Sequence, residues 1–209
     1  MPTLTDTNGL DDWIRQQLAI SSARLLGGIS ATTLCRERPE FGQRMVPARG
    51  SVLASPVIAN WDPEPDYFFH WTRDAAAVMR AVTDLWSLAD DAAQRQRWQQ
   101  YFLDMVDFNL AISHADTVEP APVDYRSRTR KDCRKFLRNL NELNHLRGDK
   151  LLAEPRFNPD GSVDILRWSR PQLDGPALRA LALLYWLDAG GRSTPALVTL
   201  LERDLDFTL

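Results

Sequence analysis

Runs of clear helical period separated by long aperiodic stretches, with few strand signals, limit what this chain can fold into more than any other feature. Leu10, Trp13, Ile14, Leu18 and Leu25 recur at helical spacing, which predicts a helix over about residues 10–27 stopped at Gly27-Gly28. Residues 29–72 lose that period; Ser51 to Ala54 fits a short strand or an extended loop. The period returns from Arg73, where Ala75, Val78, Met79, Val82 and Trp86 mark a helix to about Leu88. Another follows over roughly 91–112, carrying Trp98, Phe102, Met105 and Leu110. Residues 115–125 read as linker. The basic stretch Arg126 to Lys150 places Phe136, Leu137, Leu140, Leu143 and Leu146 on a possible amphipathic helix with a solvated face. After an irregular segment, 154–172, with a turn at Asn158-Pro159-Asp160-Gly161, Asp174-Gly175-Pro176 opens a helix that runs to about Ala189. Thr194-Pro195 opens the last, through Leu205. By itself this order says mostly α.

Composition excludes several classes. A 44% hydrophobic fraction is ample for a core, and a net charge of −3 gives no reason to expect nucleic acid or an anionic membrane as partner. The two cysteines, Cys35 and Cys133, form no CxxC pair; two thiols are expected, with one long-range disulfide possible. His70, His114 and His145 lie in no ligand spacing, so neither a metal nor another cofactor is expected. The N-terminus has no basic region followed by an apolar run, and no stretch reaches the roughly 18 consecutive apolar residues of a membrane span. The cytoplasm is the default expectation.

One aperiodic stretch carries chemistry. Residues 65–74 read PDYFFHWTRD: four aromatic rings (Tyr67, Phe68, Phe69, Trp71) run into the pair Arg73-Asp74. Aromatic faces cover the C–H face of a sugar, while guanidinium and carboxylate take its hydroxyls. A second aromatic-charged segment, WSRPQLDGPALR, spans Trp168 to Arg179. Seven tryptophans in 209 residues agree with a sugar-binding protein, though an excess of Trp is weak by itself. The plain alternative is a helix-start carboxylate with its neighbouring Arg, and rings that only pack a core.

PDYFFHWTRDAA closely resembles the aromatic-Trp-Thr-Arg-Asp signature of the glucoamylases, glycoside hydrolase family 15. EPRFN followed by W-S-R-P-Q-x-D-G-P-A-L-R-A resembles the next signature of that family, in the expected order. The stretch ARGSVLASP is similar to the family's sequence upstream of the aromatic cluster. Residues 111–150 match nothing comparable and read as a possible insertion within residues 1–209, otherwise the N-terminal portion of one catalytic domain.

The resemblance implies an (α/α)6 barrel, about half of it present, with loops between helix pairs lining a pocket. It implies that Arg73 and Asp74 hold hydroxyls of a terminal glucose. Tyr67 and Trp71 would flank that glucose, and Trp168, followed by Arg170, would stack near the scissile bond. Phe68 and Phe69 are expected to pack. Ser169 stands where many members have Gly. Asp174 and Arg179 are expected to cap and brace their helix.

The implied activity is release of glucose from non-reducing ends of α-glucans or maltooligosaccharides, with inversion. A related α-glucoside substrate such as trehalose, dextran or an oligosaccharide is the alternative, or a non-catalytic carbohydrate-binding or regulatory barrel. Glycoside hydrolysis needs two carboxyl groups across the bond. The family's general acid lies in a Trp-Glu-Glu motif that this sequence lacks. Asp66, Glu64 and Asp160 have no spacing that would replace it. Acid and base are therefore expected beyond Leu209, and this chain alone is expected to be inactive. Twelve barrel helices need about 400 residues, and about six are predicted here.

Overall fold

The computed structural model describes residues 7–57, 67–114, 116–118 and 120–209. Pro65, Asp66 and Glu64 lie outside the described residues. Helix α1 (Thr7–Gly28) leads to a small hairpin of β1 (Arg36–Arg38) and β2 (Gln43–Met45). Strand β3 (His70–Trp71) runs directly into α2 (Thr72–Ser87) and pairs antiparallel with β4 (Arg156–Phe157), His70 opposite Phe157 and Trp71 opposite Arg156. Helix α3 (Ala92–Ile112) follows, then three short turns of helix, α4 (Tyr125–Arg128), α5 (Leu140–Asn144) and α6 (Asp149–Leu152). After β4 come α7 (Asp174–Asp188) and α8 (Pro195–Thr208).

Helices α2, α3, α7 and α8 pack on one another around a core of Met79, Val82, Phe102, Met105, Leu183, Trp186, Leu197 and Leu200. The helix starts are those the sequence predicts. Asp91 caps α3 by accepting the Gln94 N–H at 2.7 Å, and Thr194 caps α8 by accepting that of Leu197 at 3.2 Å. A second apolar cluster, including Phe108, Ile112, Leu137, Leu151, Phe157 and Ile165, lies under the long loops.

Two expectations need correction. The stretch 126–150 is not one amphipathic helix: it breaks into α4, a 3-10 turn at Lys131–Phe136, α5 and α6. Long-range pairing outweighs the local period. The Arg138 amide donates to the Ile165 carbonyl at 2.9 Å, and that of Arg167 to Phe136 at 2.8 Å. The Tyr125 hydroxyl adds a bond to the Arg138 carbonyl at 2.8 Å. Helical backbone at 136–138 could not make these bonds. The basic face is not wholly solvated either, because Arg138 is 2% exposed. Asp174, in turn, makes no side-chain capping bond for α7; it pairs with Arg73 instead.

Both cysteines are free thiols, Cys35 exposed and Cys133 buried. Among the described residues, no helix is long and apolar enough to cross a membrane, and no three His, Cys, Asp or Glu side chains cluster to hold a metal ion.

Candidate carbohydrate site

Trp71 is the last residue before α2, so Arg73 and Asp74 occupy the first turn of a helix whose entry is lined by aromatics. The Thr72 amide donates to the Pro155 carbonyl at 3.0 Å, and its hydroxyl donates to that of Glu154 at 3.3 Å. These bonds fix the start of α2 against the 154–157 segment. The start of α7 sits equally close. A Cβ on Gly175 would lie 3.0 Å from the Thr72 side chain, so the DGP turn needs its glycine for this approach. Arg73 thereby meets Asp174 at 2.9 Å. That hydrogen bond raises the Arg73 pKa above its ordinary value, partial burial opposing it. Asp74 is half-buried, and its carboxylate accepts no hydrogen bond from another described residue.

The two signature segments meet through their rings. Trp71 and Trp168 pack edge-to-face with centroids 5.4 Å apart, and Tyr67 lies 6.2 Å from Trp71. Such aromatic pairs each contribute about 0.5–1.5 kcal/mol beyond area burial. Trp71 is buried, while Trp168 (39% exposed) and Tyr67 (45%) keep open surface. The Trp71 Nε1–H is buried without an acceptor among the described residues. Phe68 and Phe69 are buried packing residues.

Beneath these rings lies a buried ion network that the sequence reading missed. The Arg156 guanidinium lies 4.0 Å from the Phe69 ring centroid, 4.5 Å from that of Trp168 and 5.2 Å from that of Trp71. It thus makes cation–π contact with three rings from two distant segments. Asp164 anchors it, accepting from Nε at 2.8 Å, and also accepts from Arg170 Nη2 at 3.0 Å. Arg170 Nε donates to Glu154 at 2.6 Å, and Arg138 forms a two-pronged pair with Glu154 at 2.8 and 3.0 Å.

Burial opposes the charge on Arg156, Asp164 and Arg170. It lowers the Arg156 pKa, Asp164 only partly offsetting it. For Asp164 the balance reverses: burial would raise the pKa, but Arg156 and Arg170 hold it below the ordinary carboxylate range. Arg170 is largely buried, and its guanidinium is engaged by two carboxylates and by the Leu166 carbonyl at 3.2 Å. The structure therefore joins Tyr67, Trp71 and Trp168 into one wall and places Arg170 behind it. Arg73 and Asp74 sit at the adjoining helix start.

A signal for part of this was available. Tyr67, Phe69 and Trp71 alternate, and the rings of Phe69 and Trp71 contact Arg156; His70 packs the other way, on Phe108 at 4.8 Å. Arg156 itself stands inside EPRFN, but nothing local marks it as buried among rings.

Comparison with known proteins gives the family. The family model for glycosyl hydrolases family 15 matches residues 40–131 and 135–209, and the chain belongs to that family. A glucoamylase of Saccharomycopsis fibuligera is 31% identical over 207 residues, 97% of this chain and 32% of that protein. Glucoamylase-1 of Schizophyllum commune is 27% identical over 209 residues, 97% of this chain and 29% of that protein. Among solved structures, Hormoconis resinae glucoamylase superposes with a TM-score of 0.61 at 26% identity, covering 95% of this chain and 28% of that one. The Saccharomycopsis fibuligera glucoamylase structure gives 0.58 at 26% identity, covering 95% and 36%. The chain thus spans about a third of the length of these relatives and contributes part of an (α/α)6 barrel.

Proposed function

We propose that this chain carries the glucose-recognising part of an inverting glycoside hydrolase that releases glucose from non-reducing ends of α-glucans. The observation that carries this reading is the Trp71–Trp168 wall, joined edge-to-face at 5.4 Å and leading directly into Arg73-Asp74. Asp74, with no described partner for its carboxylate, accepts hydroxyls of the terminal glucose. Arg73 donates to the same ring from a guanidinium already oriented by Asp174. Tyr67 and Trp168 offer their exposed faces to the sugar. Arg170 serves the pocket by holding the loop on which Trp168 stands.

The chemistry of bond cleavage lies elsewhere. Glu154 and Asp164, the carboxylates of the network beneath the wall, are both buried and committed to guanidinium groups. Neither is placed to protonate a leaving oxygen or to activate water. Recognition without cleavage also fits a regulatory barrel, and the relatives' names favour the enzyme.

Maltooligosaccharides incubated with this chain alone should stay intact. A protein extended by the further two thirds that the relatives possess should release glucose as the β-anomer. Release as the α-anomer, or by this chain alone, would contradict the reading. Activity of the extended protein confined to trehalose or dextran would move the substrate within the family. No hydrolysis of any α-glucoside would favour the regulatory barrel.

A further inference from the structure

The part of the wall at residues 67–71 is a short piece of chain that pairs with β4 and also bonds to residues 52–55. The Ser55 amide donates to the Tyr67 carbonyl at 3.0 Å, and that of Ala54 to Phe69 at 3.1 Å. The next rung is not backbone to backbone: the Val52 amide donates to Nδ1 of the His70 ring at 3.0 Å. Val52 and Ser51 are fully buried, so without the imidazole this amide would be left without an acceptor in the interior. Residues 51–53 are pinned on their other side to the end of α1, where the Leu53 amide meets the Gly28 carbonyl at 2.8 Å and that of Ser30 meets Ser51 at 2.9 Å. The His70 side chain therefore completes a ladder that ties the wall to a fixed segment.

Its other nitrogen is held as firmly. Nε2 lies 3.3 Å from Asn109 Oδ1. That oxygen also accepts from Arg179 Nη1 at 3.0 Å, and Asn109 Nδ2 donates to the Met105 carbonyl at 2.8 Å, which fixes the amide's orientation. Arg179 is clamped in turn by both oxygens of Asp204, at 2.6 and 2.8 Å. An acceptor is required at Nδ1 and a donor at Nε2, so only the neutral Nε2–H tautomer satisfies both. The groups around the ring are Arg179 from α7 with Asp204 of α8 behind it, Asn109 and Phe108 from α3, and the Val52 amide. None of them replaces the acceptor that Val52 needs.

We propose that His70 is a positioning residue for the carbohydrate wall: its Nδ1 acceptor holds Val52, and through it sets the placement of Tyr67, Phe69 and Trp71. Its ring packs on the core, opposite to the side on which Trp71 meets Arg156, so it acts through these residues and not on sugar. The role deepens the function proposed above and rests on it. Nothing in the spacing of the three histidines points to it; the position is defined by the contacts of the folded chain.

Two variants separate the two ends of the ring. In His70→Asn the side-chain oxygen falls near the Nδ1 position and keeps an acceptor for Val52. His70→Gln reaches toward Nε2 and leaves Val52 without one. In 15N-labelled protein the readouts are exchange of the Val52 amide, the Trp71 indole N–H resonance and titration with maltotriose. The Gln variant should speed Val52 exchange by about 100-fold or more, shift the Trp71 indole and weaken maltotriose binding by about 10-fold. The Asn variant should keep all three near wild type. Equal effects of both variants, scaling with their loss of thermal stability, would overturn the proposal.

If neither variant folds, a long-range 15N correlation on the wild type decides. An Nδ1–H or charged ring at neutral pH overturns the assignment, and an Nε2–H ring supports it. If wild-type protein fails to bind maltotriose, the carbohydrate reading falls, while the Val52 and Trp71 signals still test His70.

Discussion

Asp164 shows how much one side chain carries at the residue scale. It is 1% exposed, and it holds Arg156 under the rings and Arg170 under the Trp168 loop. Asp164→Asn keeps the shape but leaves two buried guanidinium groups short of their counter-charge. Breaking a buried pair in this way costs about 3–5 kcal/mol, so urea unfolding should show a loss of that size. A loss under about 1 kcal/mol would mean that the network is not a closed ion cluster. His70 gives a pH prediction. Burial, aided by Arg179, lowers its pKa to about 3, with the Asn109 bond opposing. The unfolded chain takes up this proton near the ordinary imidazole value, so the His70 contribution is complete above about pH 6.5 and declines toward pH 3. The decline should approach about 1.4 kcal/mol per pH unit. Stability measured between pH 4 and 7 should lose that component of slope in His70→Asn; an unchanged slope would contradict it.

At the scale of elements, the helices α2, α3, α7 and α8 were legible because their signals are local: apolar period, with Pro in the first turn of α7 and a Thr cap followed by Pro at the start of α8. The aromatic run at 67–71 and Arg73-Asp74 were legible for the same reason, as one contiguous motif. Arg156 beneath Trp71 and Trp168 was not, because its burial depends on segments brought together only by folding. Nor was the breakup of 126–150, where pairing with Ile165 and Arg167 decides the backbone. Gly50 tests how the loop before the wall is seated. Its φ of +82° is left-handed, and a Cβ there would collide with the Asp104 carbonyl of α3. Gly50→Ala should therefore destabilise the chain by about 3 kcal/mol or more in urea titration, far beyond the usual cost of a surface Gly→Ala change. A neutral outcome would place the loop away from α3.

The whole molecule leaves apolar surface uncovered. On α7, Leu178, Leu181 and Leu184 are 40%, 62% and 43% exposed on one stripe, although the opposite side of that helix is buried core. On α1, Leu10, Trp13, Ile14 and Leu18 form the predicted period, but the stripe faces outward. Part of a two-layered helical barrel would expose such stripes, because each layer needs the other to cover it. The isolated chain should therefore associate as its concentration rises, seen by light scattering after gel filtration. Leu181→Glu should reduce the association with little change in melting temperature. A monomer at all concentrations, or association indifferent to Leu181, would show that the stripe is inert.

The central claim is that this part of a family 15 barrel holds the glucose-recognising wall, and Asp74 tests it most directly. Maltotriose titrated into the 15N-labelled chain should shift the Trp71 and Trp168 indole resonances saturably. Asp74→Asn, which keeps size and removes charge, should weaken that response by about 10-fold or more while leaving the melting temperature near wild type. A wild-type chain whose indoles do not respond to maltotriose, or a response that Asp74→Asn leaves unchanged, would contradict the account.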